Sequence, residues 1–340
     1  MIVALLLQSV FAAQGLTCPK YKCSSITTGG PRICVSFQTT ESGTYLLDSS
    51  KCLENEYCPP NHIEAVSVCE EKVDQSPPKW PGEKCSSSLQ CKHSKNGCVE
   101  GKCQGSAEKE SCLTSDDCNP GLFCSNGVCV PQISIGRQGC DFDHECVNNA
   151  ACITKRCLPY FSIKVNDLTP QCDDTHRSLL CEEEFCYRNS TSGLSYCGVP
   201  PKSKKLPTKC NSNSDCNSEV QDGVSINSTC ECGYNRDGQA YCSQHIGDSY
   251  NVDIYKILKK WYDSGAENCN TYRRGNWTCM KDYMSDWETY NYKKLYSENY
   301  PRIYDAEDCV LEVYQNDFYQ AEKDYDFSML LAPFITYILF

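Results

Sequence analysis

The cysteines constrain this chain more than any other feature, since they number 30 among 340 residues. They are concentrated in one part of it: residues 18–242 hold 27 of them and residues 243–340 hold three. A cysteine content above roughly 8% is typical of a secreted disulfide scaffold rather than of a protein with a large apolar core. The sequence therefore predicts a small disulfide-rich fold, with tandem disulfide-stapled β-hairpin modules followed by a short, mostly α-helical C-terminal segment.

Residues 80–159 contain three consecutive four-cysteine repeats. Successive cysteines are separated by 5, 6 and 4 residues in the first repeat and by 5, 5 and 4 in the others. An acidic residue precedes the second cysteine (Asp117, Glu145), and a turn such as Asn126-Gly127 precedes the fourth. Asn-Gly is the strongest short hairpin signal, so each repeat is predicted to be a small hairpin held by two bridges. The predicted disulfide cysteines are Cys85, Cys91, Cys98, Cys103, Cys112, Cys118, Cys124, Cys129, Cys140, Cys146, Cys152 and Cys157.

The spacing leaves the pairing of these cysteines open, because four cysteines allow three connectivities. We favour first-to-third and second-to-fourth, hence Cys85 with Cys98 and Cys91 with Cys103, because this pairing interlocks the two loops. Structural zinc is the alternative, but zinc sites use closely spaced cysteine knuckles, often with histidine. The chain has no Cys-x-x-Cys pair and only 5 histidines, so we expect no metal and no other cofactor.

Two looser cysteine-rich modules flank the repeats, at residues 16–79 and 170–243. Six cysteines of the first are separated by 4, 10, 17, 5 and 10 residues, and six of the second by 4, 10, 12, 5 and 13. The similar progression indicates one duplicated module, with Cys172, Cys232 and Cys242 as additions in the second copy.

The repeat sequences, for example SCLTSDDCNPGLFCSNGVCV and GCDFDHECVNNAACITKRC, resemble the four-cysteine modules of the Dickkopf N-terminal and EB type. The resemblance covers residues 80–159 and consists of the cysteine frame and the turn residues. It implies small extracellular disulfide modules and carries no functional residue over, so the receptor antagonism of the Dickkopf family is not expected. The overall layout is also similar to that of protist surface proteins.

Residues 248–320 form a segment of a different kind, in which apolar residues recur at helical spacing, as at Ile254, Ile257, Leu258 and Trp261. The pattern predicts a core-forming helical segment. Its three helices are expected near residues 251–263, 277–296 and 305–320. The cysteines of this segment are odd in number, so we expect one to cross-link to the preceding module. They are Cys269, Cys279 and Cys309.

Both ends of the chain are apolar. Residues 1–15 predict a secretory signal peptide, with an N-terminal core helix as the alternative. Residues 327–340 are too few for a stable membrane span. We weigh a lipid-anchor signal, a buried C-terminal segment and a marginal span for this tail. Three glycosylation sequons agree with an extracellular route, and they begin at Asn189, Asn227 and Asn276.

Charge and motifs exclude several functions. The formal net charge of −12 disfavours a nucleic-acid binder. The chain has no HExxH, GxSxG, phosphate loop or EF-hand loop, so we expect no enzyme. The acidic run Glu182–Glu184 and the scattered histidines are interpreted as solvated loop residues. These histidines are His62, His93, His144, His176 and His245.

The leading hypothesis is a non-enzymatic, glycosylated protein, secreted or held at the cell surface, that acts in binding, adhesion or a surface coat. Its expected partner is an extracellular protein or glycan, and the tail offers a means of membrane attachment. The alternative is a soluble secreted ligand or inhibitor of a receptor or protease. We further expect local bridges, so that cleavage between Gly105 and Glu110 releases stapled repeats. Reduction should then unfold residues 18–242 while the helical segment keeps some helix.

Overall fold

The computed structural model describes residues 16–24, 33–53, 55–57, 63–64, 68–71, 78–92, 94–170, 178–189, 191–219 and 225–312. The predicted signal peptide and the apolar tail lie outside the described residues. The described chain forms small sheets of two to four strands, followed by four α-helices. This architecture confirms the predicted disulfide-rich hairpin fold with a helical C-terminal segment.

The first module is built around a four-stranded sheet. The strands of this module are β1 (Lys20–Cys23), β2 (Ile33–Thr39), β3 (Thr44–Lys51), β4 (Glu56–Tyr57), β5 (Ile63–Glu64) and β6 (Glu70–Glu71). β2 and β3 form an antiparallel hairpin, β1 pairs in parallel with β3, and β5 pairs in parallel with β2. Val35 and Leu47 are fully buried, so one face of this sheet has an apolar partner elsewhere in the chain.

Each four-cysteine repeat is a 3₁₀ turn followed by an antiparallel hairpin. The hairpins pair β7 (Cys98–Val99) with β8 (Lys102–Cys103), β9 (Leu122–Ser125) with β10 (Val128–Pro131), and β11 (Ala150–Ile153) with β12 (Arg156–Pro159). The turns are Ser88–Gln90, Ser115–Asp117 and Asp143–Glu145. At the tip of the second hairpin, Asn126 and Gly127 have φ of 50° and 80°, as a two-residue type I′ turn requires.

The disulfides of every repeat join the first cysteine to the third and the second to the fourth, which is the pairing favoured from the sequence. The bridges are Cys85–Cys98, Cys91–Cys103, Cys112–Cys124, Cys118–Cys129, Cys140–Cys152 and Cys146–Cys157. The hairpin register explains this pattern. The third and fourth cysteines lie opposite each other across the strands, as Cys124 and Cys129 do, and therefore point to one face of the hairpin.

The second cysteine-rich module contains three more small sheets. Its strands are β13 (Leu168–Thr169), β14 (Cys186–Arg188), β15 (Ser195–Cys197), β16 (Lys209–Cys210), β17 (Asn217–Glu219), β18 (Ser225–Asn227), β19 (Cys230–Cys232) and β20 (Ala240–Cys242). The spatial orders are β13-β15-β14 and β16-β20-β19, and β17 with β18 forms a separate hairpin.

The bridges of this module agree only in part with the predicted six-cysteine duplication. The fourth cysteine pairs with the sixth in both copies, as Cys52–Cys69 and Cys210–Cys230. Cys181 pairs with Cys197, whereas Cys18, its counterpart in the first module, pairs with Cys232. The last part of the module is instead a further four-cysteine repeat with the same connectivity. Its bridges are Cys210–Cys230 and Cys216–Cys242. The gap lengths do not reveal this repeat, because the loops between cysteines tolerate insertions such as the β17–β18 hairpin.

The helical segment comprises α1 (Ser249–Ser264), α2 (Trp277–Tyr283), α3 (Trp287–Ile303) and α4 (Asp308–Glu312). The predicted second helix is thus two helices, because the backbone leaves the helical conformation at Met284 and restarts after Asp286. Lys260 of α1 binds both Ser285 and Asp286 in this break. No helix in the described part of the chain is long and apolar enough to cross a membrane.

The largest core is shared between the repeats and the helices. Third-repeat residues such as Ile153 and Tyr160 pack against Trp261 of α1 and against Met280 and Met284 of the α2 region. This contact forms because the hairpins are too small to bury their own apolar side chains. The helical segment is therefore docked on the repeats and does not form a separate core.

Two long-range disulfides close the chain on itself. Cys23 pairs with Cys309 and Cys18 pairs with Cys232, over sequence separations of 286 and 214 residues. The expectation that a helical-segment cysteine bridges to the preceding module is wrong, because Cys309 reaches the first module instead. Val310 of α4 packs beside it in the same cluster as the buried face of the first sheet.

Candidate binding surface

A repeated hydrogen-bond pattern makes the loop between the first and second cysteines rigid. The residue just before the second cysteine turns its side chain back and accepts two successive backbone N–H groups near the start of the loop. Four repeats share this contact, through Gln90, Asp117, Glu145 and Asp215. It resembles a capping box, in which short polar side chains satisfy the free donors of a turn.

A second side chain closes the same loop from the other side. The first residue of each 3₁₀ turn accepts the backbone N–H of the third cysteine, at 2.7–3.0 Å. The acceptors are Ser88, Ser115, Asp143 and Asn213. Asn213 and Asp215 mark the fourth occurrence of this frame, which the gap lengths did not reveal. The signal available in the sequence was the polar residue directly before Cys216.

These rigid loops carry large apolar side chains that face solvent. Leu89 and Leu113 are almost fully exposed in the first and second repeats, and Phe142 is 62% exposed in the third. A loop held by two disulfides and three side-chain hydrogen bonds loses little conformational freedom on binding a partner. Exposed apolar groups on such loops therefore mark a candidate contact surface.

Phe142, His144 and Tyr272 form a continuous row of rings, which we call the aromatic row. The Phe142 and His144 rings stack at a centroid distance of 5.5 Å, and those of His144 and Tyr272 lie 4.6 Å apart. Tyr272 is 49% exposed. The row joins the third repeat to the helical segment, so that only the folded chain assembles it.

Tyr272 is positioned by its chain neighbours, which anchor the segment between α1 and α2. The buried amide of Asn270 donates to the backbone oxygens of Ser115 at 2.7 Å and Cys118 at 2.8 Å. The hydroxyl of Thr271 donates to a backbone oxygen of the third repeat. The turn that carries Tyr272 is thus fixed to two repeats at once.

Two arginines complete this anchoring. Arg273 makes a bidentate ion pair with Asp116, at 3.0 and 2.9 Å, and its guanidinium lies 3.6 Å from the ring centre of Trp80. Arg274 donates to the hydroxyl of Tyr160. Bidentate arginine pairs are geometrically specific, so they fix the orientation of the turn as well as its position.

The aromatic row is neutral but lies in an acidic surrounding. Burial, together with the positive charge of Arg274, lowers the pKa of His144, although Glu145 and Asp143 oppose this change. Burial, followed by the negative charges of Asp116 and Glu145, raises the pKa of Tyr272. Both rings are therefore uncharged at neutral pH, while carboxylates lie beside them.

The predicted sequons lie in different environments. Asn189 is half-buried in a turn, where its Oδ1 accepts the N–H groups of Thr191 and Ser192. Asn276 is the N-cap of α2 and accepts from Thr278. Asn227 belongs to β18.

The histidines and the acidic run are interpreted from the sequence as solvated loop residues, and the structure agrees for only some of them. His245 is buried, which contradicts a solvated loop position, and His144 belongs to the aromatic row. The other three histidines lie outside the described residues. In the acidic run, Glu182 and Glu183 are exposed, but burial raises the pKa of Glu184 to about 7.

Ser218, His245 and Asp248 lie close together, as in a hydrolase triad, but in a different arrangement. Ser218 Oγ is 2.9 Å from His245 Nε2. The Asp248 carboxylate accepts from the backbone N–H of His245 and from Ser203, not from the imidazole. All three triad-like residues are buried. Their contacts fasten the start of α1 to the preceding module, and a nucleophile relay needs a ring-to-carboxylate contact instead.

The sulfurs of several cysteine triplets lie close enough together to suggest a metal site. In the described chain these groups include Cys112, Cys118 and Cys129, with sulfurs within 4.8 Å of one another. Each of these cysteines belongs to a disulfide. Oxidised sulfur is not the thiolate that binds zinc, so the proximity follows from the interlocked bridges.

The fold and the surface define a disulfide-stapled repeat protein with a docked helical segment. Its disulfides are abundant, and no cysteine in the described part of the chain is free, which indicates an oxidising environment. Residues 111–159, the second and third repeats, match a family described as a domain of unknown function (DUF7107). No curated protein and no solved structure matches the chain. The Dickkopf and EB resemblance remains one of cysteine spacing.

Proposed function

We propose that this is a non-enzymatic extracellular binding protein that contacts its partner through the aromatic row. The observation that carries the proposal is the exposed stack of Phe142, His144 and Tyr272 on disulfide-fixed loops. Aromatic side chains dominate the energetics of protein interfaces, and a rigid scaffold lowers the entropy lost on binding.

The chemistry around the row favours a protein partner with a basic segment. The net charge of the chain is −12, and the carboxylates of Glu145 and Asp143 lie beside His144 of the row. A lysine or arginine next to an apolar side chain would meet both negative charge and aromatic faces. A glycan is favoured less, because recognition of sugar hydroxyls needs free polar groups. Here Glu145 and Asp143 already accept backbone N–H groups.

The test is selection of peptides from a random display library against the disulfide-intact protein. We expect enriched peptides to combine lysine or arginine with an apolar residue. Tyr272→Ala should weaken their binding at least tenfold, because it removes one of the three rings that form the contact. Tyr292→Ala is the matched control, since Tyr292 is 37% exposed on α3, away from the row.

Two outcomes would contradict this assignment. One is a set of enriched peptides that bind wild type and Tyr272→Ala equally. The other is binding of immobilised neutral glycans that depends on Tyr272 while no peptide is enriched. The second result would replace the protein partner with a carbohydrate.

We further propose that the protein is secreted or attached to the cell surface, with residues 1–15 as signal and 327–340 as anchor signal. Detergent partition of the expressed protein, with and without phospholipase, tests the attachment. Recovery in the medium with the tail intact would favour the alternative of a soluble ligand. A substrate-like protease inhibitor is disfavoured at Leu113, whose N–H is engaged by Asp117 and cannot pair with a protease backbone.

A further inference from the structure

Glu83 is a fully buried carboxylate at the contact between the first repeat and α2. Its Oε1 accepts the hydroxyl of Thr278 at 2.8 Å, and Oε2 has no hydrogen-bond partner in the described structure. Buried carboxylates are normally paired, because an uncompensated buried charge is costly. No ion pair therefore compensates the burial of Glu83, and its position calls for another explanation.

The groups that face Glu83 do not neutralise it. Lys79 of the first repeat is nearby but is already paired with Asp282 of α2, at 3.0 Å. Asp282 also accepts the backbone N–H of Lys84. Tyr283 of α2 donates to the backbone of the first repeat, and Lys84 and Lys102 lie over its ring. Burial therefore remains the largest influence on the pKa of Glu83.

We propose that Glu83 is an acid-strengthened latch that holds α2 against the first repeat and thereby regulates the aromatic row. The regulatory part rests on the proposed binding function of that row. The geometry supplies the connection: the backbone N–H of Glu83 donates to the backbone oxygen of Trp80 at 3.0 Å, and the Trp80 ring stacks on Arg273. Arg273 directly follows Tyr272 in the chain, so loosening of the latch frees the ring that the partner contacts.

The direction of the pH effect follows from the titration of Glu83. Burial raises its pKa from 4.5 to about 7. Docking is therefore strongest when the carboxyl is protonated, weakens as pH rises from about 4.5 to 7, and is constant above that range. Burial lowers the pKa of His144 below its ordinary value of 6.5, so comparison with Glu83→Gln is what separates the titration of His144 from that of Glu83.

The experiment is hydrogen exchange on the full disulfide-intact chain at pH 5.5, 6.5, 7.5 and 8.5, corrected for intrinsic exchange. We expect opening of Trp277–Tyr283 to become roughly 30-fold more favourable between the lowest and highest pH, as linkage between pKa values of 4.5 and about 7 requires. Glu83→Gln should remove this dependence, because the amide is neutral throughout. The same pH dependence in Glu83→Gln would overturn the latch.

Glu184→Gln is the matched control, since burial also raises the pKa of Glu184 to about 7 but its neighbour is Tyr255 of α1. It should alter exchange in α1 and leave α2 unchanged. Thr278→Val tests the latch if Glu83→Gln fails to fold. Loss of its hydroxyl bond to the carboxylate should steepen the pH dependence of α2, and an unchanged profile would count against the proposal.

Affinity of a selected peptide, measured over the same pH range, separates the two proposals. We expect weaker binding at pH 7.5 than at 5.5 in wild type and no difference in Glu83→Gln. If hydrogen exchange in α2 depends on pH through Glu83 but peptide affinity does not, Glu83 does not regulate the aromatic row. Absence of any peptide that depends on Tyr272 would refute the binding function and leave the exchange result standing.

Discussion

Two buried asparagines hold the helical segment and the repeats together. Asn148 of the third repeat donates to the backbone oxygens of Ala266 and Cys269, at 2.7 and 2.8 Å. Asn270 makes the reciprocal contact, from the helical segment to two carbonyls of the second repeat. A planar amide supplies two donors at fixed spacing, which suits the pair of free carbonyls at a turn.

Removal of one of these amides should weaken the whole fold. We expect Asn270→Ala to lower the free energy of unfolding by about 2–3 kcal/mol, because two buried carbonyls lose their partners. Guanidinium unfolding of the oxidised protein measures this change. Asn96→Ala, at an exposed turn position, should cost less than about 0.5 kcal/mol. Equal effects of the two substitutions would show that the buried amide contributes nothing specific.

At the scale of elements, the recurring unit is a disulfide-closed loop in which the side chain before the second cysteine accepts backbone N–H groups from the start of the loop. Cysteine spacing sets the loop length, and the polar residue before the second cysteine satisfies the backbone N–H groups that so short a loop leaves free. The fourth repeat, from Cys210 to Cys242, makes this hydrogen-bond contact although its cysteine spacing differs from that of the other three. The β17–β18 hairpin is inserted between its second and third cysteines, yet Asp215 makes the same contact as Asp117.

This contact predicts an unusually acidic aspartate. Hydrogen bonds from the backbone of Asn211 and Ser212 lower the pKa of Asp215 below its ordinary value of 3.8. The contribution of Asp215 to stability is therefore present above the ordinary pKa and is lost as pH falls through the lowered one. NMR titration should show the carboxyl and the amides of Asn211 and Ser212 changing together. An ordinary carboxyl pKa, or amides that do not follow it, would contradict the contact.

The molecule as a whole is closed by bridges that join distant parts of the chain. Cys18–Cys232 and Cys23–Cys309 connect the first module to the second module and to α4. The expected independence of the repeats therefore holds for their internal bridges but not for the chain as a whole.

A single cut in the linker should release nothing. Glu108 and Lys109 are exposed, so an engineered protease site there is accessible. The two fragments stay joined by the long-range disulfides, and we expect one band on a non-reducing denaturing gel and two after reduction. This corrects the expectation that cleavage between residues 105 and 110 frees stapled repeats. Two bands without reductant would show that the long-range bridges are absent.

Reduction should affect the helices as well as the repeats. Trp261 and Met280 pack against Tyr160 and Phe161 of the repeats, and the Cys269–Cys279 bridge lies in this same core. Loss of the stapled partner removes the apolar surface that the helices cover. We expect circular dichroism to lose most of its helical signal on full reduction at neutral pH. Retention of that signal would indicate that the helical segment folds independently.

The sequence by itself determined the local structure of this protein. The regular cysteine frame and the Asn126-Gly127 turn indicated the hairpins, and the apolar stripe through Trp261 indicated α1. These features depend on residues close together in the chain, where loop closure and backbone geometry permit few alternatives.

Only the tertiary structure decided which distant residues meet. Nothing in the spacing of Cys23 indicates a partner 286 residues away, and nothing near Tyr272 indicates that it stacks on His144. Nothing in the sequence distinguishes Glu83 from a solvent-exposed glutamate, and it is buried because α2 covers it. Such contacts depend on the summed packing of many weak apolar interactions, which leave no local pattern because no single position fixes them.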